Sequence, residues 1–349
     1  MEQLMRQIAG HKIRPALARY IAAIIVIVGL SGCTNKNEVI VYTALDREFA
    51  EAVFDEFTEE TGITVRPKFD TEANKTVGLT NLLLAERNRP RCDVFWNNEI
   101  LNTLRLKSEG VLQPCNPSTA QHYPSQYHDP ENEWFGFAAR ARILLVNTDL
   151  VNPADCPKSL ADLVSTEWSG RVGVAKPLFG TTASHAACFF AANGEEAAKE
   201  FLTQLAANTK VYPGNKQVAL AVSKGEIAFG LTDTDDAIVE IESARPVAIV
   251  YPDQQEGGSG TLFIPNSVAL IKGARHADNG KRLIEFLLRP ETEQMLADGA
   301  SAQIPLNTAA ETKTRVETPQ SIRAMKVDFA EAARQWSEAA KFVRATFTK

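Results

Sequence analysis

Three aspartates lie within four consecutive positions of the segment Thr232-Asp233-Thr234-Asp235-Asp236. Carboxylates this close repel one another unless they are solvated, paired with cations or in contact with hydroxyl donors. Capping of the helix predicted to follow accounts for one of them, because aspartate is a favoured N-cap residue. The other two have no evident structural need, so we expect this segment to bind a ligand.

A second segment joins a predicted strand to a predicted helix, and it reads Lys176-Pro177-Leu178-Phe179-Gly180-Thr181-Thr182-Ala183-Ser184-His185. Free backbone N–H groups at a helix start, with the hydroxyls of Thr181, Thr182 and Ser184 beside them, would form an anion site. Ordinary N-capping by either threonine explains the same residues without a ligand. His185 would lie one turn into the helix, facing the cleft wall or the core.

Strands and helices alternate along the chain. The predicted strands are 38–43, 63–69, 92–96, 140–147, 171–175, 226–231, 246–250 and 267–271. The predicted helices are 47–61, 76–87, 98–109, 184–192, 195–207, 215–224, 237–243, 278–288 and 319–347. This alternation is typical of the α/β class, with a mostly parallel sheet covered on both faces.

More polar residues follow the predicted strands of the first half. Open α/β sheets bind ligands outside the carboxyl ends of their strands, where the strand order reverses. The candidates on this ground are Thr43, Asp46, Thr71, Glu72, Lys75, Asn97, Asn98 and Glu99. Lys75 could balance an anion. Each of these residues could equally be a helix cap or a solvated charge.

The first 33 residues have the pattern of a lipoprotein signal peptide. Basic residues precede an apolar run from Ile21 to Leu30, which ends in Leu30-Ser31-Gly32-Cys33. The run is short for a membrane span, and the small residues before Cys33 suit cleavage and lipidation there. We expect a signal peptide over 1–32, a lipidated tether over 33–37 and a body on the periplasmic side of the cell envelope. An uncleaved anchor helix is the alternative.

Charge, size and cysteine spacing narrow the function classes. Without residues 1–32 the chain loses four basic residues and one acidic residue, so its formal charge changes from −6 to −9. Such an acidic body is a poor partner for nucleic acid.

The length of the body exceeds what one hydrophobic core usually organises, so we expect two lobes. The four remaining cysteines form no C-x-x-C pair, which argues against zinc, while Cys115 and Cys156 could form a disulfide.

Several strings together resemble the family of extracellular solute-binding proteins that contains the ferric-ion-binding proteins of ABC importers. They are Val39-Ile40-Val41-Tyr42-Thr43, Cys92-Asp93-Val94-Phe95-Trp96, Ala219 to Leu231, Pro265 to Leu270 and Ser301 to Asn307. The resemblance implies a clamshell of two doubly wound lobes joined by crossover strands. It also implies a ligand between the lobes and a closed form that docks on ABC permease subunits.

On this resemblance, lobe one comprises 38–136 plus 267–307, lobe two comprises 137–266, and 308–349 is a C-terminal helical segment that packs across the lobes. The chain would leave lobe one near Phe135–Arg142 and return near Phe263–Ala269. Arg140 and Arg142 are near the first crossover. They could be hinge salt-bridge residues or ligand clamps, because the arginine fork suits carboxylate and phosphate.

The resemblance leaves the ligand open. In ferric-binding members a pair of adjacent tyrosines supplies phenolate oxygens, and Asp235 and Asp236 stand roughly where that pair would fall. Hard cations accept carboxylate oxygens, so a ferric site built from Asp233, Asp235, Asp236 and Glu72 with a synergistic anion is one alternative. Other relatives bind phosphorylated solutes, with helix N-termini for the phosphate and carboxylates for hydroxyl or amino groups. We slightly favour such an oxyanion-bearing solute, and expect no cofactor apart from a bound metal ion on the ferric alternative.

A secreted hydrolase using Ser184, His185 and an aspartate is the competing class. Adjacent residues on one helix point about 100° apart, which is poor geometry for a nucleophile and its base. Gly257-Gly258-Ser259-Gly260 also lacks the spacing of a nucleophile elbow. We therefore expect a monomeric transport receptor that performs no covalent chemistry, with a purely structural lipoprotein as a third option.

Overall fold

The computed structural model describes residues 37–70, 76–311 and 313–348. The predicted signal peptide, the lipidation site Cys33 and the candidates Thr71, Glu72 and Lys75 lie outside the described residues. Within these ranges no helix combines the length and the apolar character that crossing a bilayer requires.

The described residues form ten strands and ten α-helices. The strands are β1 Glu38–Thr43, β2 Thr64–Phe69, β3 Val94–Asn97, β4 Leu112–Gln113, β5 Phe135–Asn147, β6 Val172–Ala175, β7 Lys210–Tyr212, β8 Phe229–Asp233, β9 Val247–Val250 and β10 Phe263–Ile271. The helices are α1 Arg47–Thr61, α2 Val77–Glu86, α3 Leu101–Ser108, α4 Gly180–Asn193, α5 Glu195–Asn208, α6 Asn215–Ser223, α7 Thr234–Glu242, α8 Ala277–Leu287, α9 Pro290–Asp298 and α10 Phe329–Phe347.

The first lobe is built on parallel strands. β1 pairs in parallel with β2 on one side and β3 on the other, and β10 runs antiparallel to β3 and also pairs with β4. α1 connects β1 to β2 and ends at Gly62, whose φ of 69° is the left-handed conformation that glycine adopts without strain. The strand–helix alternation predicted from the sequence is confirmed here.

The second lobe repeats this arrangement. β6 lies between β7 and β8 and is parallel to both. β5 is antiparallel to β8 and β9. The chain therefore has the α/β architecture of two doubly wound lobes that the sequence predicted, while the residue boundaries proposed for the lobes stay a prediction.

β5 and β10 are the crossover strands. They are antiparallel neighbours, and the sheet order β2-β1-β3-β10-β5-β8-β6-β7 passes through both of them. All 13 residues of β5 are buried. Side chains alternate along a strand, so Ile143 and Leu145 join one hydrophobic core and Leu144 and Val146 join the other.

Three predicted boundaries near the aspartate and threonine segments were wrong. Gly225, with φ of 71°, and a hydrogen bond from the Glu226 amide to the Ala221 carbonyl end α6, so the next strand is Phe229–Asp233. α7 begins at Thr234, which places Asp235 and Asp236 in its first turn. α4 begins at Gly180, so the threonines after it lie inside the helix.

The C-terminal segment is helical only from Phe329, not from Pro319. Thr318 and Ser321 exchange side-chain and backbone hydrogen bonds in a turn, which competes with helix formation. The Asp328 carboxylate accepts from the amide of Glu331 at 3.0 Å and caps the helix. α10 packs against α3, α4 and α5.

The disulfide between Cys115 and Cys156 that the sequence left open does not form, because all four described cysteines are free thiols. Cys115 belongs to one hydrophobic core, whereas Cys156 packs against the other. The two thiols therefore lie in different parts of the molecule.

Candidate functional site

A pocket of about 60 Å³ lies where several strands end, and we call it the polar pocket. It is lined by Asp46, Asn98, Arg140, Ala175, Lys176, Phe179, Gly180, Thr181, Thr182, Pro213, Gly214, Asn215, Lys216, Asp233, Asp235 and Asp236. Most of these residues end or follow β1, β3, β6, β7 and β8, which is the ligand position of open α/β sheets. A water molecule needs about 10–15 Å³ on this measure, so the pocket suits a group of a few heavy atoms.

Four helices begin at the polar pocket. Asp46, Gly214 and Asp233 are the N-cap residues of α1, α6 and α7, and Gly180 is the first residue of α4. The first backbone N–H groups of a helix have no partner within it, and the helix dipole adds a partial positive charge there. Converging helix starts therefore favour an anion.

Two lysines add full positive charges to the polar pocket. Lys176 follows β6 and Lys216 lies in the first turn of α6, and both side chains line the pocket. Neither ammonium group has a hydrogen bond or ion pair with any other described residue. Their charge is therefore available to a bound anion.

A buried ion pair joins Asp233 in the pocket wall to Arg142 behind it. Arg142 Nη1 donates to Asp233 Oδ1 at 2.6 Å, while Thr181 Oγ1 and Asn215 Nδ2 donate to Oδ2 at 2.5 and 2.9 Å. Arg142 also donates to the hydroxyls of Thr181 and Thr182, each at 3.3 Å. Both oxygens of Asp233 are thus occupied. The threonine hydroxyls belong to a network that holds the starts of α4 and α6 against β8.

Arg140 connects the two lobes. Its Nη1 donates to the Asn98 carbonyl at 2.7 Å and its Nη2 to Asn266 Oδ1 at 3.3 Å. Its Nε lies 3.1 Å from Asp235 Oδ2, and the side chain is 2% exposed. Arg140 therefore forms a salt bridge next to the crossover and still borders the polar pocket.

Asn98 presents an unsatisfied polar atom. The residue is 6% exposed and lines the polar pocket, yet its side-chain Oδ1 has no hydrogen-bond partner among the described residues. An unpaired buried polar atom costs about 1–3 kcal/mol. A ligand group in the pocket would satisfy it.

Six of the predicted residues do not line the polar pocket in the described part of the chain. They lie behind its wall and support it. They are Thr43, Asn97, Glu99, Arg142, Ser184 and His185. Thr43 Oγ1 accepts from the amide of Leu45 at 3.1 Å, and Asn97 Nδ2 donates to Glu99 Oε1 at 2.7 Å. Whether these residues contribute to ligand binding stays a prediction.

Glu99 caps α3. Its carboxylate accepts from the amides of Leu101 and Asn102 at 2.6 and 3.0 Å. The hydroxyl of Ser184, from α4, donates to the same carboxylate at 2.8 Å. Glu99 therefore has a structural role that also joins the beginnings of α3 and α4.

Ser184 and His185 do not form a nucleophile and base. The Ser184 hydroxyl is bonded to Glu99, while His185 Nδ1 lies 3.4 Å from Arg142 Nε. Burial, together with the positive charge of Arg142, lowers the pKa of His185 from 6.5 to about 3. The imidazole is thus neutral and faces a cation rather than the serine.

The three aspartates converge, as the metal alternative requires. Asp233, Asp235 and Asp236 can each place a carboxylate oxygen within 4.8 Å of the others. However, Asp233 is held by Arg142, and Asp235 pairs with Arg140 and accepts from the Asp236 amide. No tyrosine of the described residues lines the polar pocket. A carboxylate cage would have to rearrange two arginine ion pairs.

Sequence reasoning missed part of the polar pocket. The residues it did not single out are Ala175, Lys176, Phe179, Pro213, Gly214, Asn215 and Lys216. Pro213 to Lys216 follow β7, a strand of three residues that gives no periodic signal. Had β7 been recognised, these residues would have been candidates, because ligands bind at the carboxyl ends of the strands in open α/β sheets.

The family described as bacterial extracellular solute-binding protein matches residues 102–333. The Fe(3+)-binding periplasmic protein of Serratia marcescens is 23% identical over 309 residues, covering 87% of this chain and 89% of the relative. The putative 2-aminoethylphosphonate-binding periplasmic protein of Salmonella typhimurium is 29% identical over 258 residues, covering 72% and 73%. The structure of iron-bound HitA from Pseudomonas aeruginosa matches with a TM-score of 0.80 at 24% identity, over 88% of this chain and 99% of that chain.

The names of both sequence relatives describe periplasmic binding proteins, and they divide between iron and a phosphonate. The similarity to HitA supports the two-lobed fold. The family match covers well over half of the chain. The chain therefore belongs to the family of bacterial extracellular solute-binding proteins, as a ferric-iron-binding-like periplasmic component of an ABC transporter.

Proposed function

We propose that the protein captures a small solute carrying a phosphate or phosphonate group and delivers it to the permease of an ABC importer. The observation that carries this proposal is the position of Lys176 and Lys216, which have no partner among the described residues, beside four helix N-termini. An oxyanion there would accept hydrogen bonds from backbone N–H groups and would neutralise both ammonium charges.

The rest of the polar pocket suits a donor-bearing group of the same solute. Asp46, Asp235, Asp236 and the unsatisfied Asn98 oxygen all accept hydrogen bonds, so they match hydroxyl or amino groups. The Salmonella relative is named for an aminophosphonate, which combines an oxyanion with an amine. That relative supports a ligand with two chemically different ends.

Transport would follow from closure of the lobes around the solute. Ligand contacts made to both lobes favour the closed state, and no covalent step is needed. The lipid predicted on Cys33 would hold the receptor beside its permease in the periplasm.

Isothermal titration calorimetry with inorganic phosphate and 2-aminoethylphosphonate tests the proposal. We expect both to bind, and we expect Lys216→Gln to weaken binding about 10–100-fold, because a hydrogen bond to a charged group contributes about 1.5–3 kcal/mol. Lys224→Gln is the matched control, since Lys224 is the C-cap of the same helix and does not line the pocket. Absence of binding by both anions, or equal losses in both variants, would overturn the proposal.

Ferric iron held with a synergistic anion is the second candidate, and the convergence of Asp233, Asp235 and Asp236 is the observation that favours it. Native mass spectrometry and metal analysis of protein purified without refolding separate the two. Stoichiometric iron without a phosphorylated compound would favour the ferric receptor. A co-purifying phosphorylated compound without iron would favour our proposal.

A further inference from the structure

A larger pocket of about 350 Å³ adjoins the polar pocket, and we call it the apolar pocket. It lies among α1, α6, α7 and α9, and it is lined by Asp46, Glu48, Phe49, Ala52, Val53, Lys216, Ala219, Asp235, Asp236, Val239, Glu240, Met295, Leu296, Gly299, Ala300 and Ser301. Asp46, Lys216, Asp235 and Asp236 line both pockets. The two pockets are therefore neighbouring parts of one cleft.

Apolar side chains from different helices form much of this wall. Phe49 and Val53 come from α1, Val239 from α7 and Leu296 from α9. Val239 is 39% exposed, although its side chain is apolar. Removing apolar surface from water is favourable in proportion to the area covered. A ligand with a hydrophobic part would cover this surface.

Acidic residues dominate the ionisable lining of the apolar pocket. Its ionisable lining consists of five carboxylates, Asp46, Glu48, Asp235, Asp236 and Glu240, and one cation, Lys216. Asp235 is neutralised by Arg140. Glu48 and Glu240 alone outnumber the single lysine, so the pocket favours a positively charged group.

Glu240 gives the sharpest evidence for such a group. The residue is 8% exposed, and its carboxylate has no hydrogen bond or ion pair with any described residue. Its oxygens are not among the fully enclosed polar atoms of the described residues, so they reach the pocket, where a carboxylate attracts a cation. Helix capping does not explain Glu240, because it lies near the end of α7, where the helix dipole disfavours a negative charge. A ligand cation in the apolar pocket would compensate it.

We propose that the apolar pocket binds a hydrophobic group that carries a positive charge, as the second part of a ligand whose phosphate or phosphonate lies in the polar pocket. This inference rests on the proposed function. It narrows the substrate class to phosphate or phosphonate compounds of a bulky substituted amine. Glu240 supplies the counter-charge, and the ring of Phe49 offers a face for a cation.

A matched pair of probes tests the inference without any mutation. Phosphocholine ends in a trimethylammonium group, and 3,3-dimethylbutyl phosphate has the same shape with a neutral tert-butyl group. Calorimetry on the wild-type protein should give about tenfold tighter binding of phosphocholine, because the two differ in charge alone. Both should bind more tightly than inorganic phosphate, since only they cover the apolar wall.

Glu240→Gln should remove the preference for phosphocholine, measured as the ratio of its affinity to that of 3,3-dimethylbutyl phosphate. Glu242→Gln is the control, because Glu242 lies on the same helix, is exposed and pairs with Arg315 outside the pocket. Equal affinities of the two organic phosphates for the wild-type protein would overturn the inference but not the proposed function. If none of the probes binds, inorganic phosphate included, both are overturned.

Discussion

Arg142 and Asp233 are directly opposite each other on the crossover strand β5 and on β8, and their side chains form a buried ion pair of 2.6 Å. The side chains are 0% and 5% exposed. The same carboxylate accepts hydrogen bonds from the Thr181 hydroxyl and the Asn215 side-chain amide. These two residues lie in the first turns of α4 and α6. One ion pair thus fixes the helix starts that border the polar pocket.

Arg142→Met should destabilise the protein strongly. Removing one partner of a buried ion pair leaves the other charge uncompensated, which costs about 3–5 kcal/mol. Urea denaturation measures the loss as a change in the free energy of unfolding. Arg47→Met is the control, because Arg47 pairs with Glu51 at the surface and such pairs contribute about 1 kcal/mol or less. Similar losses in the two variants would contradict the structural role of the Arg142–Asp233 pair.

Parts of the site could be predicted because they obey a local rule. Asp235, Asp236 and Gly180 follow predicted strands, and polar residues at strand ends border the cleft of an open α/β fold. Arg140 and Arg142 are two positions apart on β5, so they share one face of it. Strand periodicity therefore explains why both arginines lie on the side of β5 that faces the site.

Other parts depend on contacts that no local pattern contains. The sequence suggested a threonine hydroxyl at position 181 free for an anion, but that hydroxyl donates to Asp233, 52 positions away. The pairing of β5 with β8 and the position of α6 determine which partner this hydroxyl contacts. The late ending of β8 has the same origin, because Arg142 pairs with Asp233 and extends the ladder.

The His185 imidazole should remain neutral at pH values well below its ordinary pKa of 6.5. Burial and the nearby Arg142 lower its pKa from 6.5 to about 3, so the folded protein binds fewer protons than the unfolded chain. Its contribution to stability is present above about pH 6.5 and is lost as the pH falls toward 3. Imidazole ¹⁵N chemical shifts between pH 8 and 4.5 should show no protonation of this side chain. A midpoint near pH 6.5 would contradict the buried environment.

Glu293 should make stability depend on pH in the opposite direction. Its carboxylate is fully buried and accepts from the amides of Ala138, Leu306 and Asn307. Burial raises the pKa of Glu293 from 4.5 to about 7, so the folded protein binds the proton more tightly than the unfolded chain. The stabilisation is largest below about pH 4.5 and is lost as the pH rises to 7, a change of roughly 3 kcal/mol.

The difference in unfolding free energy between the wild type and Glu293→Gln isolates this contribution, because His185 is present in both proteins and cancels. The difference should change between pH 4.5 and 7 and be constant above pH 7.5. Glu291→Gln, an exposed residue in the first turn of the same helix, is the control and should show no such dependence. A flat difference for Glu293→Gln would contradict the raised pKa.

Ser184→Ala should weaken ligand binding with little effect on folding. The Ser184 hydroxyl of α4 donates to the Glu99 carboxylate at the start of α3, so it joins the two predicted lobes beside the polar pocket. Glu99 keeps its bonds from Leu101, Asn102 and Asn97 in the variant, so its charge stays compensated. Loss of one hydrogen bond between the predicted lobes, about 1 kcal/mol, should reduce the affinity for 2-aminoethylphosphonate about fivefold in calorimetry. Ser108→Ala, at the other end of α3, should leave the affinity unchanged, because among the described residues the Ser108 hydroxyl bonds only to the Arg105 carbonyl. If Ser184→Ala binds as tightly as the wild type, this hydrogen bond does not contribute to closure.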